Sequence, residues 1–211
     1  MQVSAPVRVG TAQSQDAVVF DVATDVTLTK LSSTFGGIVK RGAGTLTVEV
    51  PANTSYNILN TAYNGGDLSE TNAKNIGCQF AADGSVNGVH GVFDVAEGEL
   101  VLRGTGANAS LTANSGGWSV IGLPVASAAA QSALTIDNLY FKFSTTVFAP
   151  GYTLGMSTAS AGNRHPVIRI LNGGVLEAAG GLQVGYACTA KNTFVTFAMT
   201  NGTYIVSSSS S

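Results

Sequence analysis

The chain has 211 residues with 10 Lys and Arg against 12 Asp and Glu, about 10% charged, a formal net charge of -2, 26 glycines and a pI near 5.6. So little charge, with 45% hydrophobic residues, excludes a disordered chain and a Glu/Lys-rich coiled coil. It also excludes a nucleic-acid binder of the usual kind, which needs a basic surplus to neutralise phosphates.

The first residues, Met1-Gln2-Val3-Ser4-Ala5-Pro6-Val7-Arg8, lack the basic start and apolar run of a signal peptide, so an export address is expected outside this sequence. Strand signals then recur along the chain. Asp25–Thr29 alternates, and Gly44–Pro51 does so strictly, with Leu46, Val48 and Val50 on one face and Thr45, Thr47 and Glu49 on the other. Further strands are predicted at Glu99–Arg103, Leu134–Asp137, Leu139–Phe143, Val167–Leu171 and Thr193–Phe197, all short and bounded by Gly, Asn or Ser. Helical signals are confined to Ser69–Asn75, about one turn, and to the Ala-rich Val125–Ser132. The longest uncharged stretch, Gly104 to Ile136, is full of Asn, Ser, Gly and Thr and is no membrane span. Length suits a single domain over 1–206, followed by a Ser-rich tail or linker at 207–211.

Fragments repeat. Val19-Phe20-Asp21-Val22-Ala23 returns letter for letter as Val92-Phe93-Asp94-Val95-Ala96, each leading into a Leu-bearing strand at Leu28 and Leu100. Gly36–Val48 echoes Gly173–Val184, and Asn172-Gly173-Gly174-Val175-Leu176 echoes Asn201-Gly202-Thr203-Tyr204-Ile205. Repeated Gly or Asn turns followed by Leu-x-Val strands fit stacked coils, each unable to bury its apolar face alone. The expected fold is therefore all-β, a parallel β-helix (solenoid) with inserted loops at Thr71–Val89, Gly104–Ser127 and Met156–His165. The alternative is a hairpin-joined β-sandwich.

The run Gly37-Ile38-Val39-Lys40-Arg41-Gly42-Ala43-Gly44-Thr45-Leu46-Thr47-Val48 resembles the passenger-associated repeat of autotransporters, which reads Gly, apolar, Lys, any, Gly, any, Gly, Thr, Leu. Asn60–Gly66 resembles its Asn-Thr-Tyr-x-Gly-Gly segment, and Ala96–Leu102 its closing Gly-x-Leu-x-Leu. The match covers about residues 36–104 and departs from the compact repeat through an insertion at Thr71–Val89. The resemblance implies a right-handed helix of the pectin-lyase-like kind on an exported, extracellular or cell-surface protein. It implies no particular activity.

Catalytic residues are hard to find. Glycoside hydrolysis needs two facing carboxylates; the nearest pair is Glu97 and Glu99, expected on one solvated strand face. Val89-His90-Gly91 and Ile168-Arg169-Ile170 match the Gly-His-Gly and Arg-Ile-Lys of pectin hydrolases only in part. No nucleophile elbow, phosphate loop or calcium repeat occurs. Cys78, Cys188, His90 and His165 lack metal-ligand spacing, and no cofactor is expected; the sequence leaves open whether the two cysteines are bonded. Side chains able to contact a sugar are Trp118, Tyr63, Tyr152, Arg164 and His165. The expected function is non-enzymatic: an exported scaffold or adhesin segment presenting loops. The alternatives are a carbohydrate-binding or polysaccharide-degrading protein, and a subunit of a self-assembling extracellular fibre or phage spike. The partners expected are a polysaccharide, or further copies of the chain through coil ends or faces.

Overall fold

The structure is a computed structural model and describes residues 2–3, 17–31, 34–35, 37–58, 79–80, 86–87, 93–95, 97–113, 119–121, 132–143, 147–149, 167–178, 182–184 and 196–207. Among them there is no helix. The expected helical stretch 69–75 lies outside the described residues, as does 125–131. Ser132 opens a strand.

Strand β1 (Gln2–Val3) is followed by a triplet of β2 (Ala17–Asp21), β3 (Val26–Leu28) and β4 (Thr34–Phe35). The next triplet is β5 (Gly37–Arg41), β6 (Thr45–Val50) and β7 (Ser55–Ile58). A small antiparallel pair, β8 (Gln79–Phe80) and β9 (Val86–Asn87), interrupts the series. Triplets then resume with β10 (Phe93–Val95), β11 (Gly98–Gly104) and β12 (Ser110–Ala113), and with β13 (Ser119–Ile121), β14 (Ser132–Asp137) and β15 (Tyr140–Phe143). The last two are β16 (Val147–Ala149), β17 (Val167–Leu171) and β18 (Val175–Ala178), then β19 (Leu182–Val184), β20 (Thr196–Thr200) and β21 (Thr203–Val206).

Each triplet contributes one strand to each of three parallel sheets. Sheet I runs β2-β5-β10-β13-β16-β19, sheet II runs β1-β3-β6-β11-β14-β17-β20, and sheet III runs β4-β7-β12-β15-β18-β21. Strands joined by hairpins would be antiparallel; these sheets are parallel throughout. The chain thus visits three sheets in fixed rotation, an order compatible with a solenoid.

The three sheets share one core. In sheet II the columns Leu46, Leu100, Leu134, Ile168 and Val48, Leu102, Ile136, Ile170 are in register and buried. They meet Ile38 and Val95 of sheet I and Leu111, Phe141, Phe143 and Leu176 of sheet III in one cluster. Burying such a side chain contributes roughly 1.5–3 kcal/mol, and the in-register columns make each strand's burial depend on its neighbours in the sheet.

The turn from sheet II to sheet III is marked by an asparagine in every triplet but the first. Asn53, Asn108, Asn138, Asn172 and Asn201 all have φ between 48° and 58°. Asn tolerates this left-handed conformation better than other side-chain-bearing residues, because its short amide bonds locally. Here the amides also reach back one triplet: Asn108 Nδ2 donates to Asn53 Oδ1 at 2.9 Å, Asn138 Nδ2 to the Gly104 carbonyl at 3.0 Å, and Asn172 Nδ2 to Asp137 Oδ1 at 2.7 Å. Asn138→Ala keeps the strained backbone and loses the bond; it is expected to lower stability by about 1–2 kcal/mol in urea unfolding, and Asn138→Gly by less.

Two expectations need correction. Gly104–Ser127 is not an inserted loop, since β12 and β13 lie within it; its Ser, Asn and Gly content masked short ladder strands. The letter-perfect repeat is out of structural register by two residues: position 20 aligns with 40 and 95, whereas position 93 aligns with 38 and 18. A slip of two leaves every side chain on the same face, so the apolar pattern fits either alignment. The Gly36/Gly173 echo equates strands of different sheets. The Asn172/Asn201 echo does mark equivalent corners, with the following strands paired Val175 to Thr203.

Candidate functional site

The corner between sheets I and II carries the least ordinary chemistry. Lys40 alternates with Ile38 along β5 and takes an inward position between Phe20 and Val95. It is wholly buried. Its Nζ donates to the carbonyls of Arg41 at 2.8 Å, Gly42 at 2.6 Å and Glu97 at 3.0 Å. Three acceptors match the three donors of an ammonium. Burial pulls its pKa down from 10.5 to about 8, opposed by the charges of Glu97, Asp21 and Asp25.

The same corner ties three triplets together. Val22 N donates to Arg41 O at 2.9 Å, Gly44 N to Val22 O at 2.8 Å, and Thr45 N to Asp25 Oδ1 at 2.9 Å, while Arg41 pairs with Asp21 at 2.9 Å. Gly98 completes the knot with φ +69. The Lys40–Glu97 bond joins the triplet before the long connection 59–92 to the triplet after it.

Glu97 and Glu99 do not form the expected pair on one face. Glu97 precedes β11, and the positive φ of Gly98 breaks the extended alternation between them. Glu99 faces outward on sheet II. It accepts a hydrogen bond from the Thr135 hydroxyl and meets Arg169 Nη1 at 3.0 Å, so the Arg169–Glu99 pair arches over β14. That arch helps explain why the outward-facing Ala133 and Thr135 are buried. Beside it, Arg103 meets Asp137 at 2.7 Å, and the column reads Glu49, Arg103, Asp137. The base on the middle strand thus separates the two acids, which sit two strands apart.

On sheet III the Tyr140 hydroxyl donates to Glu177, which also pairs with Lys142 at 3.1 Å. Hydrogen bonds from Tyr140, then Lys142 and Ser207, hold the Glu177 carboxyl below its ordinary value, and the Glu177 carboxylate raises Tyr140. A depressed carboxyl stabilises the fold above the ordinary value of 4.5, and that stability is lost as pH falls through the lowered one. Glu177→Gln is therefore expected to flatten the acid limb of thermal stability as pH falls below the ordinary carboxyl value of 4.5.

Tyr63, Trp118, Tyr152, Arg164 and His165 lie outside the described residues, as do His90, Cys78 and Cys188. In the chain, Trp118 immediately precedes β13, Tyr152, Arg164 and His165 fall in the connection from β16 to β17, and Tyr63 falls in that from β7 to β10. Among the described residues no group of three His, Cys, Asp or Glu is placed to hold a metal, and no helix is long and apolar enough to cross a membrane. Sequence reasoning missed the burial of Lys40 and the asparagine corners. The Lys-x-Gly-x-Gly-Thr spacing was the available signal for the first; for the second, only Asn172 and Asn201 stood out. No protein-family model, curated protein or solved structure matches the chain.

Proposed function

We propose that the chain is a right-handed parallel β-helix, a non-enzymatic scaffold or adhesin segment of an exported, cell-surface protein. The rotation through three parallel sheets supports the helix, since parallel crossovers are right-handed in about 98% of cases. The scaffold reading rests chiefly on how the outer faces use their charge. Arg41–Asp21, Arg103–Asp137, Lys142–Glu177 and Arg169–Glu99 each join different coils, and the last spans three. Charged groups that brace coils against one another serve a rod better than they serve a substrate. The long connections 59–92, 122–131, 150–166 and 185–195 supply contact surface. Those from 122, 150 and 185 leave the same corner on consecutive coils.

The test is a pull-down of the purified chain on immobilised and insoluble polysaccharides, with the same tubes assayed for new reducing ends and unsaturated products. The expected result is no product, with or without retention on one glycan. Product formation overturns the scaffold reading and favours a polysaccharide-degrading enzyme. Binding that is lost in Trp118→Ala identifies an adhesive loop.

A further inference from the structure

The acceptors around the Lys40 amine are all backbone. Arg41 and Gly42, in the turn from β5 to β6, and Glu97, in the turn from β10 to β11, each aim a carbonyl oxygen at Nζ, at 2.8, 2.6 and 3.0 Å. The acidic side chains of Glu97, Asp21 and Asp25 add their field through space, while Arg41 spends its charge on Asp21 at 2.9 Å. Two glycines make room for this convergence. Gly42 at φ +79 and Gly98 at φ +69 hold a backbone that side-chain-bearing residues rarely adopt. A Cβ on Gly98 would stand 2.5 Å from the Gly44 carbonyl oxygen and 2.8 Å from Nζ, so only bare backbone fits there.

Converging neutral carbonyls are the means by which protein replaces the water shell of a monovalent cation. The spacing agrees. Oxygens stand about 2.0–2.1 Å from magnesium and about 2.3–2.6 Å from calcium, ions that also draw on carboxylate ligands. Here they stand 2.6–3.0 Å from the nitrogen and none is a carboxylate. We infer that the corner between sheets I and II is a binding site for a small monovalent cation, potassium or ammonium, in which the Lys40 ammonium is the resident, tethered ion. In the intact chain the site is filled, since Lys40 is wholly buried there. Lys40→Ala removes the equivalent of one propylammonium and frees both the carbonyls and the space of the stem between Phe20 and Val95. Buried carbonyls left without a donor are costly, and a free ion that supplies the missing charge recovers that loss by mass action.

Thermal unfolding of Lys40→Ala at neutral pH, in ammonium, potassium, propylammonium and tetramethylammonium chlorides of equal ionic strength, tests this. Ammonium and potassium are each expected to raise the unfolding midpoint by about 2–4 °C over tetramethylammonium, which is too wide for the carbonyls, once the ion exceeds its dissociation constant several-fold. Propylammonium is expected to act at a lower concentration, because it also refills the space of the stem. The unsubstituted chain and Lys40→Met, in which the space is filled, are expected to show no such difference. If Lys40→Ala is unfolded in tetramethylammonium, recovery of the folded circular dichroism signal in the other salts gives the same reading. The inference is overturned if neither free ion separates from tetramethylammonium, even where propylammonium does, for that would show a refilled cavity rather than a cation site. It is overturned equally if the unsubstituted chain or Lys40→Met responds as Lys40→Ala does.

Discussion

Gly98→Ala is expected to lower stability by about 4 kcal/mol or more, a large share of what a domain of this size possesses. Two penalties combine. The residue has φ +69, a region alanine enters at about 1–2 kcal/mol. A Cβ there would also lie against the Gly42 carbonyl oxygen, 2.5 Å from that of Gly44 and 2.8 Å from Lys40 Nζ. The Gly42 oxygen already accepts from Lys40 Nζ, and the Gly44 peptide is held by Gly44 N donating to Val22 O and Thr45 N to Asp25, so neither can turn aside without loosening the corner. Gly173→Ala separates the terms, because Gly173 has φ +82 but nothing within 4 Å of its would-be Cβ. It is expected to cost only about 1–2 kcal/mol. Urea unfolding of both variants measures the difference. Equal losses would mean that the corner between sheets I and II yields freely. Hydrogen exchange should place the extra loss of Gly98→Ala in β10 and β11, the strands re-entering after the 59–92 connection.

The strands were the most legible part of the chain, because strict alternation such as Thr45–Val50 has one physical reading. Val167–Leu171 agrees with its predicted bounds, and Glu99–Arg103 gains one residue at each end. The period-two signal also sets the limits of that reading. It cannot separate registers that differ by two, which is why the Val19 and Val92 repeats stack out of alignment. It also fades in strands rich in small polar residues, which is why Ser110–Ala113 passed for loop. Beyond alternation, a local pattern says nothing about partners. Arg169 and Glu99 are 70 positions apart and two strands apart across sheet II. Only the strand order of sheet II reveals that pair. A lysine that follows Ile38-Val39 and precedes Arg41 reads as an outer-face or turn residue until the carbonyls that hold its amine are placed. The five residues singled out for sugar contact fall in connections, where sequence suggests exposure but not arrangement.

Lys40→Met is expected to lower stability by about 2–4 kcal/mol at neutral pH. Methionine replaces the apolar stem between Phe20 and Val95 at little loss, so the change isolates the amine. Without it, the Gly42 and Glu97 carbonyls face an apolar tip, and the side-chain tie that adds to the β5–β10 and β6–β11 ladders across the 59–92 connection is gone. Removing a buried charge recovers part of that loss, so the effect stays below the sum of three charge-assisted bonds. The pH dependence has a definite sign. The folded amine releases its proton at about 8 and an unfolded lysine at 10.5. Between those values the unfolded chain binds more protons, so this group's contribution to stability rises with pH across that window. The methionine variant lacks the contribution, and the stability gap between it and the unsubstituted chain should widen from about pH 7 to about pH 10. Taking the gap rather than either curve cancels tyrosine titration, including that of Tyr140. A gap that narrows would show that the three carbonyls outweigh burial and hold the ammonium above its ordinary value. The corner would then be a charged latch that alkali opens.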